Sequence, residues 1–388
     1  MTKRIYIPLL LSIFSAMLGM GIIAPLLPIY AQNLGATTAA IGLIFASFSI
    51  SRTFFLPVVA RISDTTGMKI MIVFGLILFI LTSIGYVFSS KIFHLVLTRS
   101  LQGIAAALII PATLAYVGEV SPARREGAFM GVFNLFFFGG LGAGPFLGGL
   151  LNDLFGIDSS FYTMGMLGSI GLLLTLIFLP ERKPDPANRK HLSSWSMFRE
   201  PAIRGIFLFR FLYSVTVGLL WSFLPIFAHN FLGLNSSRIG VLVSLNVLVA
   251  TVLQAPCGFL ADRLSKKGLV AIGGGMGAIG FSLIPLSKRF VEIFGISLLL
   301  GVSGGIAMPA LMALAVEAGK RTEGMGRLMS FFVMAHSLGM IVGPLMAGLI
   351  GEVASVSTVF FIGALIGVVG VAALALSQDP RGEKALPA

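Results

Sequence analysis

The sequence predicts an all-α integral membrane protein, with twelve transmembrane helices in two pseudo-symmetric six-helix bundles. Three observations carry this. Hydrophobic residues make up 56% of the 388-residue chain and charged residues only 11%, where a soluble domain has about a quarter charged residues. Twelve apolar runs of membrane length follow one another with short links. The second half also repeats the first at a nearly constant offset. Leu27-Pro28-Ile29 returns as Leu224-Pro225-Ile226, Asp64 as Asp262, Pro111 as Pro309, Glu119 as Glu317, and Gly144-Pro145 as Gly343-Pro344.

The runs lie at about residues 5–30, 39–60, 69–89, 93–118, 127–151, 161–179, 203–231, 239–260, 268–287, 292–316, 326–350 and 356–377. They are too long for barrel strands and do not alternate, so all are helices. The first is long, precedes further runs and has no evident cleavage site, so it reads as a retained span. Residues 180–201 hold four prolines and many charges and read as a linker. The expected units are therefore 1–180, a linker 181–201, and 202–388. Within the linker, Trp195 and Phe198 suit a short segment lying on the membrane surface.

Orientation follows from lysine and arginine. With the N-terminus in the cytoplasm, 20 of the 27 basic residues fall on inner segments. Only Lys91, Arg238, Lys288 and Arg289 fall outside, and Arg52, Arg99 and Arg210 lie within spans. This asymmetry places both termini in the cytoplasm of a multi-pass protein of the inner cell membrane. It also accounts for the net charge of +12 without a nucleic-acid partner. The single cysteine, Cys257, excludes an internal disulfide framework. No phosphate-binding loop and no clustered His/Cys set is present, so no nucleotide site, metal or other cofactor is expected. Energy must come from a gradient.

The fifth run contains a glycine-rich stretch from Gly131 to Gly149, with Pro145 inside it. Gly131, Gly140, Gly144 and Gly148 fall at helical spacings, so a neighbouring helix can approach that stripe closely. Pro145 favours a kink. One reading is a plain packing helix and the other is a specialised seam. The spacing of Gly131, Gly140, Gly144-Pro145 and Gly148-Gly149 resembles the fifth-helix motif of exporters in the major facilitator superfamily, in its drug/proton antiporter branch. The resemblance extends over nearly the whole chain. It implies the major facilitator fold, and a transporter rather than an enzyme. The stretch, with its partial copy Gly339, Gly343-Pro344 and Gly348, would then form the seam between the bundles.

Gly258-Phe-Leu-Ala-Asp262-Arg263-Leu-Ser-Lys266-Lys267 is similar to that superfamily's cytoplasmic loop signature. The first-half copy is degenerate and keeps Asp64, Gly67 and Lys69. A carboxylate there can accept the amides of a neighbouring helix N-terminus or pair with a base across the bundles. Such a contact forms a latch that favours one of two states. The basic residues read equally well as topology signals. By resemblance, Glu119 and Glu317 join this network with Arg124 or Arg125; the plain alternative is a solvated helix end.

Arg99-Ser-Leu-Gln102-Gly103 is similar to the superfamily's fourth-helix motif, whose arginine is linked to proton coupling in relatives. An arginine within a span costs about 2.5 kcal/mol or more unless it faces a polar cavity. Arg52 and Arg210 are further candidates, and His336 is the one histidine deep in a span. No aspartate or glutamate lies mid-span, which points to a neutral, zwitterionic or anionic substrate. Tyr30, Tyr116, Asn134, Tyr213, Trp221, Asn246 and Gln254 are candidate cavity residues. The leading expectation is a proton-coupled secondary exporter of small amphiphilic or drug-like compounds, acting by alternating access as a monomer in the bilayer. The alternatives are a carrier or exporter of an anionic metabolite, sugar or lipid head group, and a non-transporting receptor or assembly factor on the same scaffold.

Overall fold

The computed structural model describes residues 2–122, 125–182, 200–321 and 325–377. Arg124 and the linker segment with Trp195 and Phe198 lie outside these. The described residues form helices α1 (Thr2–Ile22), α2 (Leu26–Asn33), α3 (Thr38–Thr66), α4 (Met68–Val87), α5 (Ile92–Val120), α6 (Glu126–Phe155) and α7 (Ile157–Phe178). After the linker come α8 (Pro201–Asn230), α9 (Ser236–Arg263), α10 (Lys266–Leu283), α11 (Phe290–Arg321), α12 (Met325–Val353) and α13 (Val356–Ala375). Among the described residues, twelve segments are long and apolar enough to cross a membrane.

In the first span a single apolar run becomes two α-helices. Pro25 cannot donate a backbone hydrogen bond, and the chain tightens into a turn there. Ala24 N bonds Gly21 O at 3.1 Å and Leu26 N bonds Ile23 O at 3.2 Å. The equivalent stretch around Pro225 has no second proline beside it and stays within α8.

The repeat seen in the sequence reappears as packing. In the first bundle α1 packs on α6 and α7, α5 on α3 and α4, and α4 on α7. In the second, α8 packs on α12 and α13, α11 on α9 and α10, and α10 on α13. Each contact has its counterpart. The outer surfaces are apolar, as lipid requires: Phe74, Phe88, Ile177 and Val291 are all exposed.

Two helix pairs make the main contacts between the bundles, α6 with α9 and α12 with α3, with a smaller contact of α2 on α8. They exchange under the same repeat. A Cβ on Gly149 would overlap the Ser236 carbonyl oxygen, and one on Gly348 the Thr38 carbonyl oxygen. A Cβ on Gly240 would overlap the Pro145 carbonyl oxygen, and one on Gly42 that of Pro344. Each junction ends in a carboxylate on a helix N-terminus, where free amides point outward. Asp153 accepts from Ser236 N at 3.1 Å and Ser237 N at 2.8 Å. Glu352 accepts from Thr38 Oγ1 at 2.9 Å and Ala39 N at 3.2 Å. All this lies at the end of the molecule away from the termini. At the terminal end a Cβ on Gly127, Gly131 or Gly258 would meet nothing within 4 Å. The bundles are sealed at one face and parted at the other.

This geometry corrects the expected seam. Gly140, Gly144 and Gly148 face α1 of their own bundle, against Phe14, Leu18, Gly21 and Ile22. Gly339 and Gly343 likewise face Phe211 and Val215 of α8. Gly131 touches neither bundle closely. The helical stripe of glycines instead draws α1 against α6 and α8 against α12. The adjacent register meets the other bundle: Gly142 lies against Leu248, and the Pro145/Gly149 and Pro344/Gly348 positions make the contacts described above. The two registers predict different failures. Gly149→Leu should leave the melting temperature of the purified protein near wild type and abolish disulfide cross-linking between Gln32→Cys and Asn230→Cys across the sealed face. Gly144→Leu should lower the melting temperature by several degrees, because it separates two helices of one bundle.

Candidate functional site

Between the parted bundles lies a chamber of about 440 Å³, within the range of small-molecule sites. Its polar wall includes Arg52, Arg99, Asn134, Arg210, Trp221 and His336. The rest is apolar and includes Met17, Met20, Phe45, Phe48, Phe137 and Met340.

Arg99 sits two turns into α5 and is only 7% exposed. Its Nη1 donates to Gln102 Oε1 at 2.6 Å, one helical turn on. The same oxygen accepts from the Tyr86 hydroxyl of α4 at 2.8 Å. Tyr86 in turn stacks on Phe161 of α7, with centroids 5.4 Å apart. Gln102 therefore acts as a buried bracket that fixes the arginine from behind. In front, the guanidinium lies 5.1 Å from the rings of both Phe45 and Phe48. Cation–π contacts of this kind offset about 0.5–2 kcal/mol each.

In the second bundle, Arg210 lies 4.7 Å from the Phe332 ring, and its Nη1 meets Met308 Sδ at 2.8 Å. Ser214, one turn along α8, donates to the Arg210 carbonyl at 2.8 Å. Its oxygen is 3.0 Å from His336 Nδ1.

Other candidates fall elsewhere. Tyr30 bonds Ser89 O at 2.6 Å and Tyr116 bonds Pro180 O at 2.7 Å, both away from the chamber. Tyr213 and Asn246 line a separate space of about 40 Å³ inside the second bundle. Gln254 lines a groove at the terminal end with Asp262, Lys266 and Glu317. These corrections share one cause: helical phase places each side chain on a face the apolar run alone does not mark. The Met and Phe wall was missed. Its sequence signal is present in Met17/Met20 and Phe133/Phe137, spaced three and four apart on faces turned inward.

The latch residues lie at the open end. Asp262 and Arg263 are exposed, and Lys266 pairs with Glu317 at 3.4 Å within the second bundle. Glu119 and Arg125 are exposed. Asp64 lies in the last turns of α3, and its side chain is outside those described. In the present state Gly67 and Lys69 are tied inside the first bundle. Gly67 has φ +102°, a left-handed conformation that glycine adopts without strain. The Glu181 carboxylate occupies the space a Cβ there would need. Glu181 Oε1 accepts from Lys69 N at 3.1 Å, and Lys69 Nζ donates to Leu176 O at 3.0 Å. Glu181, unremarked in the sequence, thus caps α4 and pins the end of α7 to it.

The sequence model described as the Major Facilitator Superfamily matches residues 9–213 and 206–388. An uncharacterized MFS-type transporter of Methanocaldococcus jannaschii is 29% identical over 363 residues, 92% of this chain and 93% of its own. Multidrug resistance protein 2 of Bacillus subtilis is 25% identical over 395 residues, 99% of this chain and 97% of its own. The crystal structure of the nucleoside transporter NupG aligns with a TM-score of 0.79 at 16% identity, over 98% of this chain and 100% of its own. At that identity the likeness is one of fold. Two six-helix bundles around a central chamber and a family match over both halves agree: this chain is a membrane transporter, not an enzyme, and belongs to the Major Facilitator Superfamily.

Proposed function

We propose that the protein is a secondary active exporter of small amphiphilic compounds, driven by the proton gradient across the cell membrane. The observation that carries this reading is the chamber itself: a largely apolar cavity with a cationic patch, held between bundles that are sealed at one face only. The 20 basic residues on the terminal side support a cytoplasmic open end. Similarity to a multidrug resistance protein supports export.

In this reading the two bundles, joined near residues 181–201, rock about the chamber. Substrate enters from the cytoplasm while the terminal face is parted. Closure there brings the Asp262 loop against the first bundle and releases the Asp153 and Glu352 caps. Asp262 lies exposed in the present state, as a latch for the opposite state would. Arg99, fixed by Gln102, is the coupling group, and His336 beside Arg210 is the second. A single chain holds the whole chamber, so the working unit is a monomer.

The test is flux into proteoliposomes with an imposed pH gradient and a panel of amphiphiles. Gradient-dependent accumulation of at least one amphiphile is expected; no gradient-dependent flux for any of them would contradict the reading. Arg99→Ala should lower gradient-driven flux at least tenfold while membrane insertion stays normal. Asp262→Asn should lower turnover severalfold while substrate affinity measured at equilibrium stays near wild type.

A further inference from the structure

The transport reading leaves the cargo open, and the charge of the chamber narrows it. Three arginines line the cavity, two from the first bundle and one from the second, with no aspartate or glutamate among the lining residues. Arg52, Arg99 and Arg210 each keep a buried Nε with no hydrogen-bond partner. The partners they do have are a glutamine oxygen, a thioether and phenylalanine faces. None of these carries a negative charge. Arg52 and Arg99 from one bundle and Arg210 and His336 from the other line this one chamber, so the charges converge on one region. A buried charge with no counter-ion is costly to keep. In a membrane protein such charges mark a path for something that supplies the missing partner.

Resting on the exporter reading, we propose that the chamber binds an amphiphilic organic anion. One carboxylate, sulfonate or phosphate head sits between Arg52 and Arg99 on one side and Arg210 on the other. Its apolar body lies against Phe45, Phe48 and Met340. Guanidinium groups suit this role because their donors match the planar or tetrahedral oxygens of such heads. The head spans both bundles, so it supplies attraction between two surfaces that otherwise repel each other. A cation of the same size meets three like charges. A soluble organic acid and an anionic lipid share the required chemistry.

The test uses purified full-length protein in a neutral detergent and three probes with one ring system: 2-naphthoate, 2-naphthamide and 2-naphthylmethylammonium. Calorimetry should show naphthoate binding at least tenfold more tightly than the amide, with no saturable binding of the ammonium. Arg52→Gln and Arg210→Gln should each weaken naphthoate at least tenfold and leave the amide unchanged, and Arg210→Lys should recover part of the loss. Melting curves identify variants that fold. Displacement of naphthoate by phosphatidylglycerol but not phosphatidylcholine would support the proposal with a lipid as the source of the head. Displacement by neither would support it with a soluble acid. Equal binding of acid and amide, tighter binding of the ammonium, no saturable binding of any probe, or folded arginine variants that keep wild-type preference would each overturn it. Gradient-driven flux of the ammonium probe would overturn the anion site and leave the exporter reading standing. Flux of none of the three, with naphthoate still bound, would count against the exporter reading alone.

Discussion

Two reciprocal backbone contacts hold this molecule in its present shape. At Gly149 on Ser236 and at Gly348 on Thr38, one helix of each bundle approaches the other too closely for any side chain. Without a hydrophobic driving force between helices in lipid, such close packing is what joins them. The carboxylates of Asp153 and Glu352 extend each junction to the surface by capping the first turn of the opposing helix. Because the two junctions exchange under the internal repeat, the seal is balanced about the axis between the bundles. The chamber lies below it, toward the end where a Cβ on Gly127, Gly131 or Gly258 would meet nothing within 4 Å.

The interior of that chamber is held ready rather than neutralised. Gln102 and Tyr86 fix Arg99 from behind, and phenylalanine faces cover it in front. Arg210 is supported by a ring and a thioether. These are weak partners for buried cations. They orient the guanidinium groups without satisfying them, which is the condition for a site that must bind and also release.

Much of the fold could be read from the chain because lipid imposes one rule on every span: the backbone must satisfy itself, and the surface must be apolar. Twelve apolar runs, and landmark pairs such as Asp64 and Asp262, were therefore enough to fix the helices and their two-fold grouping. What could not be read was helical phase. Gly144 and Gly149 lie in the same run, yet one meets α1 and the other meets α9. Tyr116 and Arg99 lie in the same helix, yet only the arginine reaches the chamber. The intramembrane arginines were legible because burying a charge is expensive wherever it points. The methionine and phenylalanine wall was not, because those residues serve equally well against lipid, core or cargo. Glu181 escaped notice because capping a helix across 112 residues of chain leaves no local pattern.

The central claim is that the seal and the opening trade places. Spin labels at Leu154→Cys and Arg238→Cys report the sealed face, and labels at Gly127→Cys and Leu260→Cys report the parted face, both in a Cys257→Ser background. Electron–electron distances measured in nanodiscs, with and without substrate and across a range of pH, test it most directly. The account predicts a second population in which the Leu154–Arg238 distance lengthens as the Gly127–Leu260 distance shortens. Distances that stay fixed under every condition, or that lengthen together, would contradict it.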